Sequence, residues 1–233
     1  DFKVKKEHRD LILDVLNSGR ITESSYTKKF EQDFAQYLGV KHCIACTNGT
    51  AGLMLVFKAL QIIEGRPLTW MVPSCTFPAT LNAILLTGNK AILCDVGEDL
   101  LIKVDEEKLI ECDGIVPVHL FCYACHMDYL KELSIKHNLY IVEDNCEGTG
   151  SYYRKKMLGS FGEAGVFSFF MGHCVGVGEM GAITTNNDEL ERIIRSIKNH
   201  GRVGSNLEFN HAYEGYNFKT TEFMSALAWN EIN

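Results

Sequence analysis

Proline is scarce in this chain, with 4 residues in 233, and tryptophan scarcer still, with 2. Proline-rich linkers and collagen-like repeats are thereby excluded, and a composition of 46% hydrophobic and 23% charged residues is that of an ordinary globular domain. No apolar run approaches the ~18–20 residues that a membrane-spanning helix needs. The charged opening Asp-Phe-Lys-Val-Lys-Lys lacks the apolar segment of a signal peptide. Nor is there an excess of positive charge: 23 Lys and Arg stand against 30 Asp and Glu, a net charge of −7, and the cations are scattered singly or in short pairs. A nucleic-acid binder would gather them into a stripe, so neither nucleic acid nor a membrane is an expected partner, and a cytoplasmic location is expected. The chain also lacks an initiator Met and stops at Trp-Asn-Glu-Ile-Asn within a helical pattern. Residues 1–233 are therefore read as one domain from a longer protein.

Cysteine is abundant instead, with nine residues. Most sit in apolar, strand-like segments, which predicts buried, reduced thiols. The two Cys-x-x-Cys pairs, Cys43/Cys46 and Cys122/Cys125, lie much further apart than the ~15–20 residues of a zinc ribbon. The first pair sits at a strand end, where a redox pair would open a helix. No metal site is expected.

Apolar periodicity predicts helices over 7–17 and 27–38, a strand over His42 to Cys46, a helix over Ala51 to Gln61 and a strand over Thr69 to Val72. The rhythm continues with helix 79–86, strand 90–95, strand 114–118, helix 127–137 and strand 139–143. Two further strands, 166–169 and 182–185, precede a helix over 188–199. Short Val/Ile/Leu-rich strands alternating with helices imply an α/β fold of three layers, with a mostly parallel sheet covered on both faces. Ligands of such sheets bind at the carboxyl ends of the strands, which directs attention to four loops.

Thr47-Asn48-Gly49-Thr50-Ala51 joins a strand to a helix, and reads either as a phosphate cradle or as a turn with its N-cap. Glu143-Asp144-Asn145-Cys146-Glu147 places carboxylates directly after a strand. Such a group binds metal, acts as a base, pairs with a cationic ring nitrogen, or caps the next helix. The third loop is Phe167 to His173. The fourth, Gly176-Val-Gly178-Glu179-Met180-Gly181, matches a dinucleotide fingerprint but precedes a strand instead of following one, so its glycines are assigned to a tight turn.

In order and wording these segments resemble the DegT/DnrJ-type sugar-nucleotide aminotransferases, pyridoxal-phosphate proteins of the aspartate-aminotransferase fold. The resemblance runs from Gly-Arg-Ile-Thr at 19–22 through Asn48-Gly49-Thr50-Ala51, Pro73 to Thr80, Val118-His119-Leu120, Glu143-Asp144, Gly159-Ser160-Phe161-Gly162, Phe167-Ser168-Phe169 and His200-Gly201 to Gly215-Tyr-Asn217. It implies a large domain whose smaller carboxyl-terminal companion is largely absent. It also implies that Gly49, Thr50 and Ala51 hold the phosphate of pyridoxal or pyridoxamine 5'-phosphate with help from Ser168, and that Phe77 lies against the ring. Asp144 would pair with the ring nitrogen and Glu147 with the ring hydroxyl or the leaving group. Asn217 would reach the phosphate in a neighbouring subunit, which makes a homodimer with a shared site.

Five residues beyond Ser168, where these aminotransferases carry their Schiff-base lysine, stands His173. Histidine has no amine to condense with an aldehyde but moves protons near neutral pH. The stretch Phe-Ser-Phe-Phe-Met-Gly-His is similar to the Lys-to-His branch, the 4-keto-6-deoxyhexose 3-dehydratases. That similarity implies deoxygenation of a nucleotide-linked keto sugar, with glutamate as a possible amino donor, for deoxysugar and surface-polysaccharide biosynthesis. The alternatives are an aminotransferase on a similar sugar and a catalytically silent relative. Two departures stand out: Cys174 replaces a second His, and Met180 replaces a Gly, which is expected to narrow the cofactor pocket.

Overall fold

A computed structural model describes residues 3–204 and 210–233. Helices α1 (Lys6–Ser18) and α2 (Ser25–Leu38) lead into β1 (His42–Cys46) and the long α3 (Gly49–Glu64). Next come β2 (Thr69–Pro73), α4 (Pro78–Leu86), β3 (Lys90–Cys94), the single turn α5 (Glu106–Leu109), β4 (Gly114–Ile115), α6 (Met127–His137) and β5 (Tyr140–Asp144). The chain continues through a hairpin of β6 (Tyr152–Tyr153) and β7 (Lys156–Met157) to β8 (Ala164–Ser168), β9 (Gly181–Thr185) and α7 (Asp188–Lys198). It closes with β10 (Arg202–Val203), β11 (Asn210–His211) and α8 (Glu222–Ile232).

Seven strands form one sheet in the order β1-β9-β8-β5-β4-β2-β3. Only β9 runs against its neighbours, β8 and β1; every other pairing is parallel. The expected three-layer, mostly parallel architecture is therefore present. Successive side chains of a strand face opposite sides. Thus Val142 and Val166 enter a core built on α3, α4 and α7, while Phe167 packs under α2 and α8, and Ile141 under α6. Trp70 of β2 lies 4.8 Å from the Phe57 ring of α3, and Phe34 of α2 meets Phe167 edge-on at 5.0 Å. No described helix is long and apolar enough to cross a membrane.

Two boundaries moved for identifiable reasons. Strand β4 stops at Ile115 instead of Val118 because Pro117 has no N–H for the ladder, although Val118 still bridges Asp144. Helix α3 starts at Gly49 because Asn48 caps it, the Asn48 Oδ1 accepting from Ala51 N at 2.8 Å. The expectation of buried thiols holds for five of the nine cysteines. Cys43, Cys46, Cys94, Cys112 and Cys125 are buried, but Cys122 and Cys174 are exposed. Cys43 and Cys46, three apart in a strand, face opposite layers and cannot act together. Burial pushes the Cys46 thiol up to about 12, and that of Cys43 upward too.

Candidate functional site

The carboxyl ends of β1, β2, β5 and β8 share one edge of the sheet, and there a cavity of about 430 Å³ opens. Its wall includes Gly49, Thr50, Phe77, Asp144, Glu147, Ser168 and His173, seven residues singled out from sequence and scattered over 125 positions. Among the described residues lining it, none is Lys or Arg; its acids are Asp144, Glu147 and Glu179.

The amino end of α3 forms one wall. The first N–H groups of a helix have no partner within it. Asn48 takes that of Ala51, which leaves those of Gly49 and Thr50 at the cavity. Ala51 itself is buried off the wall, a difference from the expected set that follows from the cap. A Cβ on Gly49 would stand 2.7 Å from Cys146 Sγ and 3.0 Å from Ser168 Cβ, so only glycine lets α3 approach β5 and β8 this closely.

Asp144 ends β5 and is 6% exposed. Its Oδ2 accepts from Thr80 Oγ1 at 2.7 Å and its Oδ1 from Cys146 N at 3.3 Å. Thr80 spends its only proton on Asp144, so the 2.8 Å contact between Thr76 and Thr80 has Thr76 as donor. This hydroxyl chain fixes the carboxylate without neutralising it. Thr80 lay within a segment quoted for the family resemblance, but its role depends on α4 meeting β5. Burial, and then Asp144, pushes the Cys146 thiol well up, so Cys146 is no nucleophile.

Glu147 Oε2 accepts from Phe121 N at 2.8 Å, which leaves its other oxygen available. Opposite, the chain leaving β8 turns sharply. Phe169 is buried against Phe30 and Phe34, Phe170 bridges Gly178, and His173 N donates to Phe170 O at 2.9 Å. The turn puts His173 Nδ1 3.2 Å from Ser168 O. A carbonyl only accepts, so Nδ1 carries a proton, and in the neutral ring Nε2 is the nitrogen with the lone pair. Ser168 Oγ accepts from Phe170 N at 3.3 Å and retains its own proton for donation.

Three other expectations find their place. Phe77, the residue before α4, is 71% exposed at the cavity. Met180 does not narrow the cavity: its side chain is wholly buried on the opposite layer with Phe167 and Phe169, because residues of β9's entry alternate faces. Asn217 is exposed and off the wall, its Oδ1 accepting from Lys219 Nζ at 2.6 Å. Glu179, which carried no sequence-based role, does line the cavity.

The arrangement suits a flat, phosphorylated heteroaromatic ring: N–H donors and a hydroxyl at one end, an exposed aromatic face, and a buried carboxylate suited to a protonated ring nitrogen. Known proteins with related chains point the same way. GDP-perosamine synthase of Caulobacter vibrioides is 35% identical over 225 residues, covering 94% of this chain. The structure of Helicobacter pylori PseC, an aminotransferase of pseudoaminic acid biosynthesis, superposes with a TM-score of 0.90 at 28% identity over 99% of this chain. E. coli GDP-4-keto-6-deoxy-D-mannose-3-dehydratase superposes with a TM-score of 0.91 over 100% of this chain, but at 24% identity it speaks to the fold alone. The pattern of the DegT/DnrJ/EryC1/StrS aminotransferase family matches residues 3–233, and the chain belongs to that family. It spans 60% of the length of the Caulobacter protein and 63% of PseC.

Proposed function

We propose that residues 1–233 form the cofactor-binding large domain of a pyridoxal-phosphate-family enzyme that removes the 3-hydroxyl of a nucleotide-linked 4-keto-6-deoxyhexose. The observation that carries this reading is His173 in a cavity whose described lining contains no lysine. Pyridoxamine phosphate, when bound, supplies an amine to meet the sugar's ketone and a ring that draws electrons from the attached carbon.

The N–H groups of Gly49 and Thr50 and the Ser168 hydroxyl would hold the phosphate, and Phe77 would lie against the ring. Asp144 would hold the ring nitrogen in its protonated form, which would maintain the ring's pull on electrons. Glu147, through its free oxygen, serves the ring hydroxyl or the departing hydroxyl. His173 Nε2, bearing the lone pair, takes a proton; Ser168 O holds the other ring nitrogen and so fixes the direction of transfer. Among the described residues the wall has three acids and no Lys or Arg, so the donors named for the phosphate are all neutral. Asn217 of a second copy is assigned to supply another, which makes the working unit a homodimer.

An amine transferase acting on a similar sugar is the second reading, supported by the likeness to a protein named GDP-perosamine synthase. The intact protein mixed with pyridoxamine phosphate, glutamate and a nucleotide-linked 4-keto-6-deoxyhexose separates the readings. Ammonia and a 3-deoxy sugar are expected; an amino sugar favours transfer, and no product a silent relative. Borohydride treatment should leave no cofactor on the wild-type chain, whereas His173→Lys should become covalently labelled at position 173. A labelled lysine elsewhere in the wild type would remove His173 from the centre of the site.

A further inference from the structure

Beside the cavity lie the two exposed cysteines, Cys122 and Cys174, with their sulfurs 3.7 Å apart. They are 52 residues apart in sequence and approach only because the turn after β4 meets the turn after β8. We propose that Cys122 and Cys174 are a modification site: a thiol pair that peroxide converts to a disulfide, clamping the mouth of the cavity, and that thiols reopen.

Geometry supports the pairing. A disulfide has its sulfurs about 2.05 Å apart, so closure requires the two sulfurs to approach by about 1.7 Å. The turn bearing Cys122 holds two consecutive non-glycine residues at positive φ, Phe121 at 51° and Cys122 at 68°. Such a backbone conformation is sparsely populated for non-glycine residues, and a local rearrangement out of it relieves strain. The other seven cysteines do not compete: five are buried, and Cys75 and Cys146 are half-buried. Burial and the neighbouring Cys122 sulfur hold the Cys174 thiol above its ordinary pKa, which disfavours it as the thiol that meets peroxide first.

The chemistry balances with peroxide as the oxidant. The Cys122 thiol gives up its proton and the thiolate attacks one peroxide oxygen; the O–O bond breaks, the departing hydroxide takes up that proton, and a sulfenic acid and water result. The Cys174 sulfur then attacks the Cys122 sulfur, the S–O bond breaks, the S–S bond forms and a second water leaves. Two thiols have lost two electrons and two protons to one peroxide. Dithiothreitol reverses this by two thiol exchanges.

Closure acts on groups already described. Phe121 N holds Glu147 Oε2, Cys122 Sγ donates to Glu147 O at 2.9 Å, and Cys174 follows His173 directly. Locking the two turns together therefore strains the positions of Glu147 and His173. Shifts of about 1 Å in a catalytic arrangement cost up to ~100-fold in rate. The pairing stands independently of the cofactor assignment; its effect on the site rests on it.

The test exposes the intact protein to a modest excess of hydrogen peroxide, blocks free thiols and maps peptides by mass spectrometry. A Cys122–Cys174 crosslink, removed by dithiothreitol, is expected before any other cysteine is modified. In Cys174→Ser, Cys122 should instead proceed to the sulfinic acid. Crosslinks elsewhere, or wild-type Cys122 and Cys174 oxidised separately, would overturn the pairing. Turnover or pyridoxamine phosphate affinity of the crosslinked protein should fall about tenfold or more and recover on reduction. A crosslinked protein with both unchanged would overturn the clamping role. Failure of the reduced protein to bind pyridoxamine phosphate counts against the cofactor assignment alone, since the peptide map still decides the pairing.

Discussion

The two faces at the end of β5 each carry one carboxylate and one histidine, and they use them in opposite ways. On the α6 side, Glu143 is wholly buried; its oxygens accept from Gly159 N, Phe161 N and Gly162 N at 2.6–2.8 Å. His119, equally buried, lies 3.2 Å from Glu143 through Nε2 and accepts Cys125 N at Nδ1. A nitrogen that accepts a backbone N–H carries no proton, so Nε2 donates to the carboxylate. Each of these polar atoms has a partner, and the set ties the loop before β8 to the strand end. On the α3 side, Asp144 has two donors and His173 one acceptor, and both keep unused capacity facing a cavity. Adjacent residues of one strand thus divide into a closed clamp and an open site. Saturation of hydrogen bonding, more than residue type or burial, separates the two faces.

The contrast is tested first at the open histidine. In His173→Asn the amide cannot serve as a base, so turnover should fall by about 10³-fold while pyridoxamine phosphate still binds. Turnover within about tenfold of the parent, ~1.4 kcal/mol in barrier, would assign the proton transfer to another group.

Next comes the pair of neighbouring carboxylates. Asp144→Asn should cost on the order of 10² in turnover with the melting temperature little changed, because Asn can still accept from Thr80. Glu143→Gln should do the reverse. Its amide presents two donors where three backbone donors converge, so unfolding free energy should drop by about 2 kcal/mol while activity per folded molecule stays within a few-fold. Denaturant titration and initial rates on both variants give the answer. Equal effects of the two variants on stability would erase the distinction between the faces.

Much of this division was legible in the sequence, and some was not. Strand β1 and helix α6 fall where the sequence pattern placed them, since β1 is a continuous short apolar run and α6 keeps helical spacing. The Glu143-Asp144 pair stood out because carboxylates at a strand end are costly unless used. Which of the two was free remained hidden, because Glu143 is satisfied by donors at 159–162 that only the fold brings near. Thr80 as the support of Asp144 and the proximity of Cys122 to Cys174 were invisible for the same reason. The two-residue strands β6, β7, β10 and β11 are too short to carry a period.

The smallest effect is expected at the other end of the sheet, where a carboxylate is paired outright. Asp113, just before β4, takes Arg66 in a two-pronged contact of 2.6 and 3.1 Å and also Thr69 N at 2.8 Å. The guanidinium hydrogen bonds hold its pKa below the ordinary carboxylate range, against a smaller opposing effect of burial. A carboxyl whose folded pKa lies below its unfolded value stabilises the fold above the unfolded pKa, near 4, and loses that contribution as pH falls through the folded value. Solvent screens this partly exposed pair, so the gain is modest. Asp113→Asn should therefore melt slightly below the parent at neutral pH, and the gap should narrow as pH drops from about 5 toward 3. Thermal melts of both proteins across that range decide it: a gap that stays constant would mean that the charge contributes nothing and that Asp113 works only through hydrogen bonds an amide retains in part.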